Sequence, residues 1–231
     1  MVTLVVIAVV SGSLVVGAVW GVYGNLPDQV EGLIIALAGG ALMISAVLEL
    51  IEPASHVAPF WAVSALVMGG AVGFAALDHV IKQRWGGDSG GGLLAAITLD
   101  GIPENLALGV ALISTGPLGA AALSGSILLS NLPEAAGGAR EMSAGGRSKP
   151  AVLGLWAATA ALLTAAALAG NLLLGGASDS TLGLIRSFAG GAVVGSLAIE
   201  VFPKAFKESG YSTGVAVALG LVLALFLDRL G

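Results

Sequence analysis

The feature that most constrains this chain is a succession of apolar runs, each about 20 residues long, that leaves almost no sequence between them. A helix of that length crosses the hydrocarbon of a bilayer, so the runs read as spans. Eight can be counted, near residues 2 to 24, 31 to 52, 59 to 82, 92 to 114, 118 to 139, 150 to 175, 182 to 203 and 211 to 229. Charge agrees: 10% of residues are charged and 57% hydrophobic, whereas an ordinary soluble domain carries about 25% charge. The reading is an all-α polytopic membrane protein with eight transmembrane helices. The first run lacks the basic start and the A-x-A cleavage pattern of a signal peptide and is expected to be a mature span. There is no cysteine, which removes disulfides and thiolate metal sites from consideration. The net charge of -5 says little about partners, because several of the acids fall inside the apolar runs.

Orientation follows from the basic residues. Seven of the nine Lys and Arg (Lys82, Arg84, Arg140, Arg147, Lys149, Lys204 and Lys207) fall at the connections after spans three, five and seven, all on one side. That side is expected to be cytoplasmic, which places both termini outside. Arg186 and Arg229 fall near span ends, where a long side chain can snorkel to the interface.

An internal repeat divides the chain. Residues 38 to 49 read AGGALMISAVLE and residues 189 to 200 read AGGAVVGSLAIE, so that Ser45 matches Ser196 and Glu49 matches Glu200. The following spans match more weakly, with Gly70 against Gly220 and Leu77-Asp78 against Leu227-Asp228. Under the orientation above, span two runs outward and span seven inward, so the repeats are inverted, as in many transporters. The expected organisation is a single domain over 1–231 in a 3+2+3 pattern, with repeats about 1–83 and 150–231 flanking helices four and five at 92–139. Glu49 then lies toward the outer mouth and Glu200 toward the inner one.

Spans four and five hold the chemistry. Each carries a proline followed at once by glutamate, in LDGIPENLALGV (Asp100, Pro103, Glu104) and SNLPEAAGGA (Asn131, Pro133, Glu134). A charged side chain at the bilayer centre is disfavoured by roughly 2.5 to 3.5 kcal/mol even on insertion scales, so such residues mark a path or a bound partner. Asp100 and Glu104 share a helix face one turn apart, and Asn131 and Glu134 do so at a spacing of three. Each proline removes a backbone donor and frees a carbonyl in the preceding turn. Three carboxylates in one small volume need protons or a divalent metal to compensate them. Oxygen ligands suit Mg, Mn, Fe(II) and, less selectively, Zn. His56 falls in the outer connection after span two and His79 at the inner end of span three, both away from the midplane. The glycine-rich KQRWGGDSGGG segment lacks the GK[ST] of a phosphate cradle and reads as a flexible linker.

With these residues the chain resembles a divergent member of the ZIP (Zrt- and Irt-like) family of divalent metal transporters. The resemblance rests on eight spans, the -PE- motif on spans four and five, and the AGGA-to-acid pattern on spans two and seven. It implies metal transport toward the cytoplasm through a central site, with zinc, iron or manganese as substrate, and a homodimer in a cell membrane, expected to be a prokaryotic plasma membrane. Where the family reads HNxPEG, this chain has Asp100, Gly101 and Glu104, so the histidine is an aspartate and the asparagine is lost. The family's span-five ligands fall on Ser130, Asn131 and Glu134, and Met43 falls where some members place a methionine beside the metal. Glu49, Glu200 and Asn105 are expected along the pathway, Glu200 at the cytoplasmic exit. Span six, residues 150 to 175, has no acid to complete the second metal position of many members, so one site is expected. The resemblance further implies that spans one, four, five and six move as a unit against spans two, three, seven and eight. The partners expected are lipid and a divalent ion, with no nucleic acid. A ZIP-like protein of changed or lost substrate is the alternative; an intramembrane enzyme lacks any Ser/His or HExxH arrangement.

Overall fold

The structure, a computed structural model, describes residues 2–24, 27–85, 90–114 and 116–229; nothing is described of the side chains at 85, 90–94, 96, 97, 100, 114 and 117. The described residues form eight helical rods and no strand. In chain order these are α1 (Val2–Tyr23), α2 (Asp28–Val57), α3 (Phe60–Trp85), α4 (Gly90–Ser114), α5 (Ala121–Ala144), α6 (Lys149–Leu173), α7 (Asp179–Ser209) and α8 (Ser212–Asp228). A single short turn of helix, Gly116–Gly119, leads into α5. Of the glycine-rich segment at 82–92, residues 82–85 end α3 and 90–92 begin α4, while 86–89 lie outside the described residues.

Five rods, α1, α2, α3, α6 and α7, are long and apolar enough to cross a membrane; α4 and α8 contribute the shorter apolar stretches Gly101–Ile113 and Ser212–Asp228. The exception, α5, has length but carries Ser, Asn, Glu and Arg within it. Its position explains the composition, because α5 packs against α1, α2, α4, α6 and α8. A helix surrounded by protein has no need of an all-apolar surface. The chain is thus helical, with the long apolar helices of a membrane protein.

Two rods are longer than their apolar runs. Expected at 31–52 and 182–203, α2 and α7 extend over 28–57 and 179–209. Pro53 and Pro203 ought to stop them, since proline has no N–H for the carbonyl four residues back. Instead each helix widens into a π-turn just ahead of its proline, at Ala46–Ile51 and Leu197–Val201, and continues as α-helix. Such turns absorb a local mismatch within a helix and recur at functional positions. Glu49 and Glu200 lie on these two π-turns.

The matched rods lie antiparallel along their length. Gly32 of α2 faces Ala205 and Glu208 of α7, and Gly39 faces Val201 and Phe202. Reciprocally, Gly190 of α7 faces Leu50 and Ile51, and Gly183 faces Ala54 and Val57. Gly32 and Gly183 occupy equivalent places in the sequence repeat, as do Gly39 and Gly190.

Glycines also decide which helices approach most closely. A Cβ at Gly40 of α2 would overlap the Val217 carbonyl oxygen of α8, and one at Gly220 the Leu37 carbonyl oxygen. The equivalent contact joins α3 and α7, through Gly191 against Val67 O and Gly70 against Phe188 O. Gly17 and Gly21 fasten α1 to the carbonyls of Leu132 and Ala136 on α5, and Gly109 and Gly170 fasten α4 to α6. Backbone this close brings Cα–H groups onto carbonyl oxygens, and dispersion in lipid replaces the hydrophobic drive that water would supply. All four clipped pairs fall within one of two sets, α1/α4/α5/α6 or α2/α3/α7/α8.

Between the sets lies the main apolar core, which joins α1, α4 and α5 to α2 and α7, together with several polar contacts. Along α2 and α5, which run antiparallel, Ser45 Oγ lies 3.2 Å from Ser126 Oγ, and Glu49 and Glu31 reach α5 nearer its two ends.

Candidate metal site on the proline helices

Pro103 and Pro133 both lie inside continuous helices, α4 and α5, which pack on each other. Glu104, immediately after Pro103, is 3% exposed. Asn105 is fully buried; its Nδ2 donates to the Gly101 carbonyl of its own helix at 2.9 Å. On α5, Glu134 is partly buried and within electrostatic reach of the Lys204 ammonium. Asp100 is on the α4 helix, but its side chain lies outside the described residues. Among the described residues, no group of three or more His, Asp or Glu side chains is arranged to hold a metal ion. Of the three carboxylates expected as donors, Glu104 and Glu134 are the two whose side chains the structure describes.

The neighbouring polar residues donate to backbone carbonyls. Asn131 Nδ2 donates to the Val10 carbonyl of α1 at 3.1 Å, so this amide joins α5 to α1. Ser130 Oγ donates to the Ile127 carbonyl of its own helix at 3.1 Å. Met43 is partly buried and packs against the main apolar core.

The two acids expected along the pathway have different surroundings. Glu49 is 6% exposed, and its Oε1 accepts the Leu123 backbone N–H at 2.6 Å. Leu123 is in the first turn of α5, where N–H groups have no partner within the helix, so Glu49 caps that helix from α2. Glu200 receives the Lys82 ammonium at 3.0 Å, and the same ammonium lies 2.9 Å from Asp78 Oδ2.

Sequence reasoning missed a third acid. Glu31, on the first turn of α2, is 1% exposed and holds two cations: Arg140 of α5 at 3.0 Å on Oε2 and Lys204 of α7 at 3.0 Å on Oε1. Arg140 also pairs with Asp28 at 2.9 Å. Gly137 makes room for the cluster, since a Cβ there would strike the Glu31 carboxylate. The separation of 109 residues between Glu31 and Arg140 left no local signal of the pairing. Glu31→Ala removes a buried carboxylate that binds two partly exposed cations, so it is expected to destabilise the protein by about 2 kcal/mol. Unfolding in detergent measures this, and a loss below about 1 kcal/mol would mean that the cluster behaves as a solvated surface pair.

His56 and His79 lie near helix ends, His56 bound to Glu52 at 2.6 Å and His79 to Gln83 at 2.8 Å, each within its own rod. Arg186 departs from the snorkelling expected of it, being 6% exposed and held inside the bundle.

No protein-family model matches the chain, and no curated protein sequence matches it either.

Proposed function

We propose that the chain is a membrane transporter of divalent cations, built as eight spans in an inverted 3+2+3 repeat with both termini outside. Glu104 and Glu134, together with Asp100, are the primary ligands, and the substrate is a hard or borderline ion such as Mn, Fe(II) or Zn. The observation that carries the reading is a glutamate directly after an in-helix proline on each of two mutually packed helices, one of them 3% exposed. Two carboxylates on packed helices inside a bundle make a negatively charged pair that a divalent cation can bridge.

The antiparallel packing of α2 on α7 supports the inverted repeat, the architecture of alternating access. The glycine-clipped pairs support movement of α1/α4/α5/α6 as one body against α2/α3/α7/α8, because the backbone-to-backbone contacts bind helices within each body. In this scheme Ser130 and Asn131 complete the site beside Met43: each donates a proton to a backbone carbonyl, which leaves the Ser130 Oγ lone pairs and the Asn131 Oδ1 available to the ion. Asn105 keeps a buried Oδ1 with no hydrogen-bond partner among the described residues and sits next to Glu104 on the ion's route.

Purified protein in proteoliposomes should accumulate at least one of Mn, Fe(II), Zn or Cd well above protein-free vesicles. Uptake equal to that of empty vesicles for every one of these ions overturns the proposal. Asp100 and Gly101, where the ZIP pattern has His and Asn, favour a second reading, a ZIP-like protein whose substrate has changed. Saturable binding of no divalent ion would select it.

A further inference from the structure

Glu49 and Glu200, the acids matched by the repeat, each have a second matched acid as neighbour. Asp228 is within electrostatic range of Glu49, and Asp78 is joined to Glu200 through Lys82. Asp78 and Asp228 are themselves equivalent in the repeat. Because the matched rods are antiparallel, the two acid pairs stand toward opposite ends of the bundle. They differ in one respect. Between Asp78 and Glu200 lies the Lys82 ammonium, 2.9 Å and 3.0 Å from their oxygens. Among the described residues neither Glu49 nor Asp228 forms an ion pair, and Glu49 Oε2 is buried with no hydrogen-bond partner.

We propose that Lys82 is a tethered occupant of the inner cation seat, with its ammonium filling the place between Asp78 and Glu200 that a divalent ion would otherwise take. The inference rests on the transport reading and adds a direction to it. A symmetric pair of seats would hold the ion equally at both mouths. With Lys82 in place the inner seat does not retain the ion, while the outer seat, which has no lysine, captures it. Electrostatics favour this division, since one ammonium halves the charge of two carboxylates and stands where their attraction is strongest. Tethering favours it as well: a group held on a short linker competes at an effective concentration of roughly millimolar or above. Lys82 is a positioning residue, partly exposed on α3, and its stem allows it to swing aside as the ion leaves.

The test is the number of saturable Mn or Cd sites in purified wild type, K82R, K82Q and K82Q/D78N, together with uptake by proteoliposomes. K82R, which keeps the cation, should match wild type in both. K82Q should gain one site and take up metal several-fold more slowly at saturating external concentration, because release becomes limiting; K82Q/D78N should lose the added site. A folded K82Q with the wild-type number of sites overturns the inference, whatever wild type transports, and so does a K82R that behaves like K82Q. If K82Q does not fold, K82M is titrated in its place under the same criteria. Failure of the transport reading shows separately, as absence of uptake by wild type.

Discussion

Glu134→Gln should reduce divalent-cation uptake to the level of protein-free vesicles while the protein remains folded. The exchange preserves shape and removes only the negative charge. Carboxylates bind hard cations through that charge, and an amide oxygen is a much weaker ligand. Losing a group that merely orients a ligand already lowers metal affinity about 10- to 100-fold, so loss of a primary ligand should exceed that range. Folding should tolerate the change, since a charge is removed from a partly buried place on α5. Glu104→Gln should behave alike, its carboxylate being buried more deeply. Initial uptake of Mn or Cd, read beside a thermal unfolding curve in detergent, separates loss of function from loss of fold. Uptake by the folded Glu134→Gln protein within a factor of about two of wild type would remove this residue from the site.

The second large effect concerns the glycine clips. Gly191→Ala and Gly220→Ala each place a methyl group on a backbone carbonyl of the partner helix, Val67 and Leu37 respectively. Helix backbones cannot yield as the end of a side chain can, so overpacking of about 1–3 kcal/mol or more is expected at each site. Gly12→Ala and Gly154→Ala supply the opposite sign, because a Cβ at either position has nothing within 4 Å. Alanine is favoured over glycine in a helix interior by about 0.8–1.0 kcal/mol, so these two should be neutral or stabilising. Unfolding midpoints of the four variants decide the matter. Equal effects at all four would show that the close approaches do not hold the helices. Gly40→Ala combined with Gly220→Ala should fall short of additivity, since both act on the single contact between α2 and α8.

These contacts mark how far the sequence could be read. Glycine in quantity, 36 of 231 residues, suits close helix packing, but composition cannot say which glycines meet a partner. On α1, Gly17 and Gly21 face α5 while Gly12 faces open space, a difference set by the rotation of the helix against its neighbours. The eight apolar runs located the eight rods because span length is imposed by apolar periodicity and composition, which are local properties. The ends of α2 and α7 lie beyond the apolar runs because helix continues into polar sequence there, with a π-turn ahead of Pro53 and Pro203 that no apolar run reveals. Glu49 was recognisable as an acid out of place in an apolar run, yet its role as the cap of α5 was not. A cap formed by a side chain 74 residues away from the backbone N–H it accepts leaves no pattern. Glu31 was overlooked for a similar reason. It lies at the start of a run, where an acid reads as an ordinary first-turn residue, and its two cations come from α5 and α7.

Carboxylates from α4 and α5 are proposed to share one ion, and the anomalous signal of Cd(II) in a structure of the protein equilibrated with that metal locates it. A single strong peak is expected within coordination distance of both Glu104 and Glu134. A peak elsewhere, with these two carboxylates turned toward separate surroundings, would contradict it.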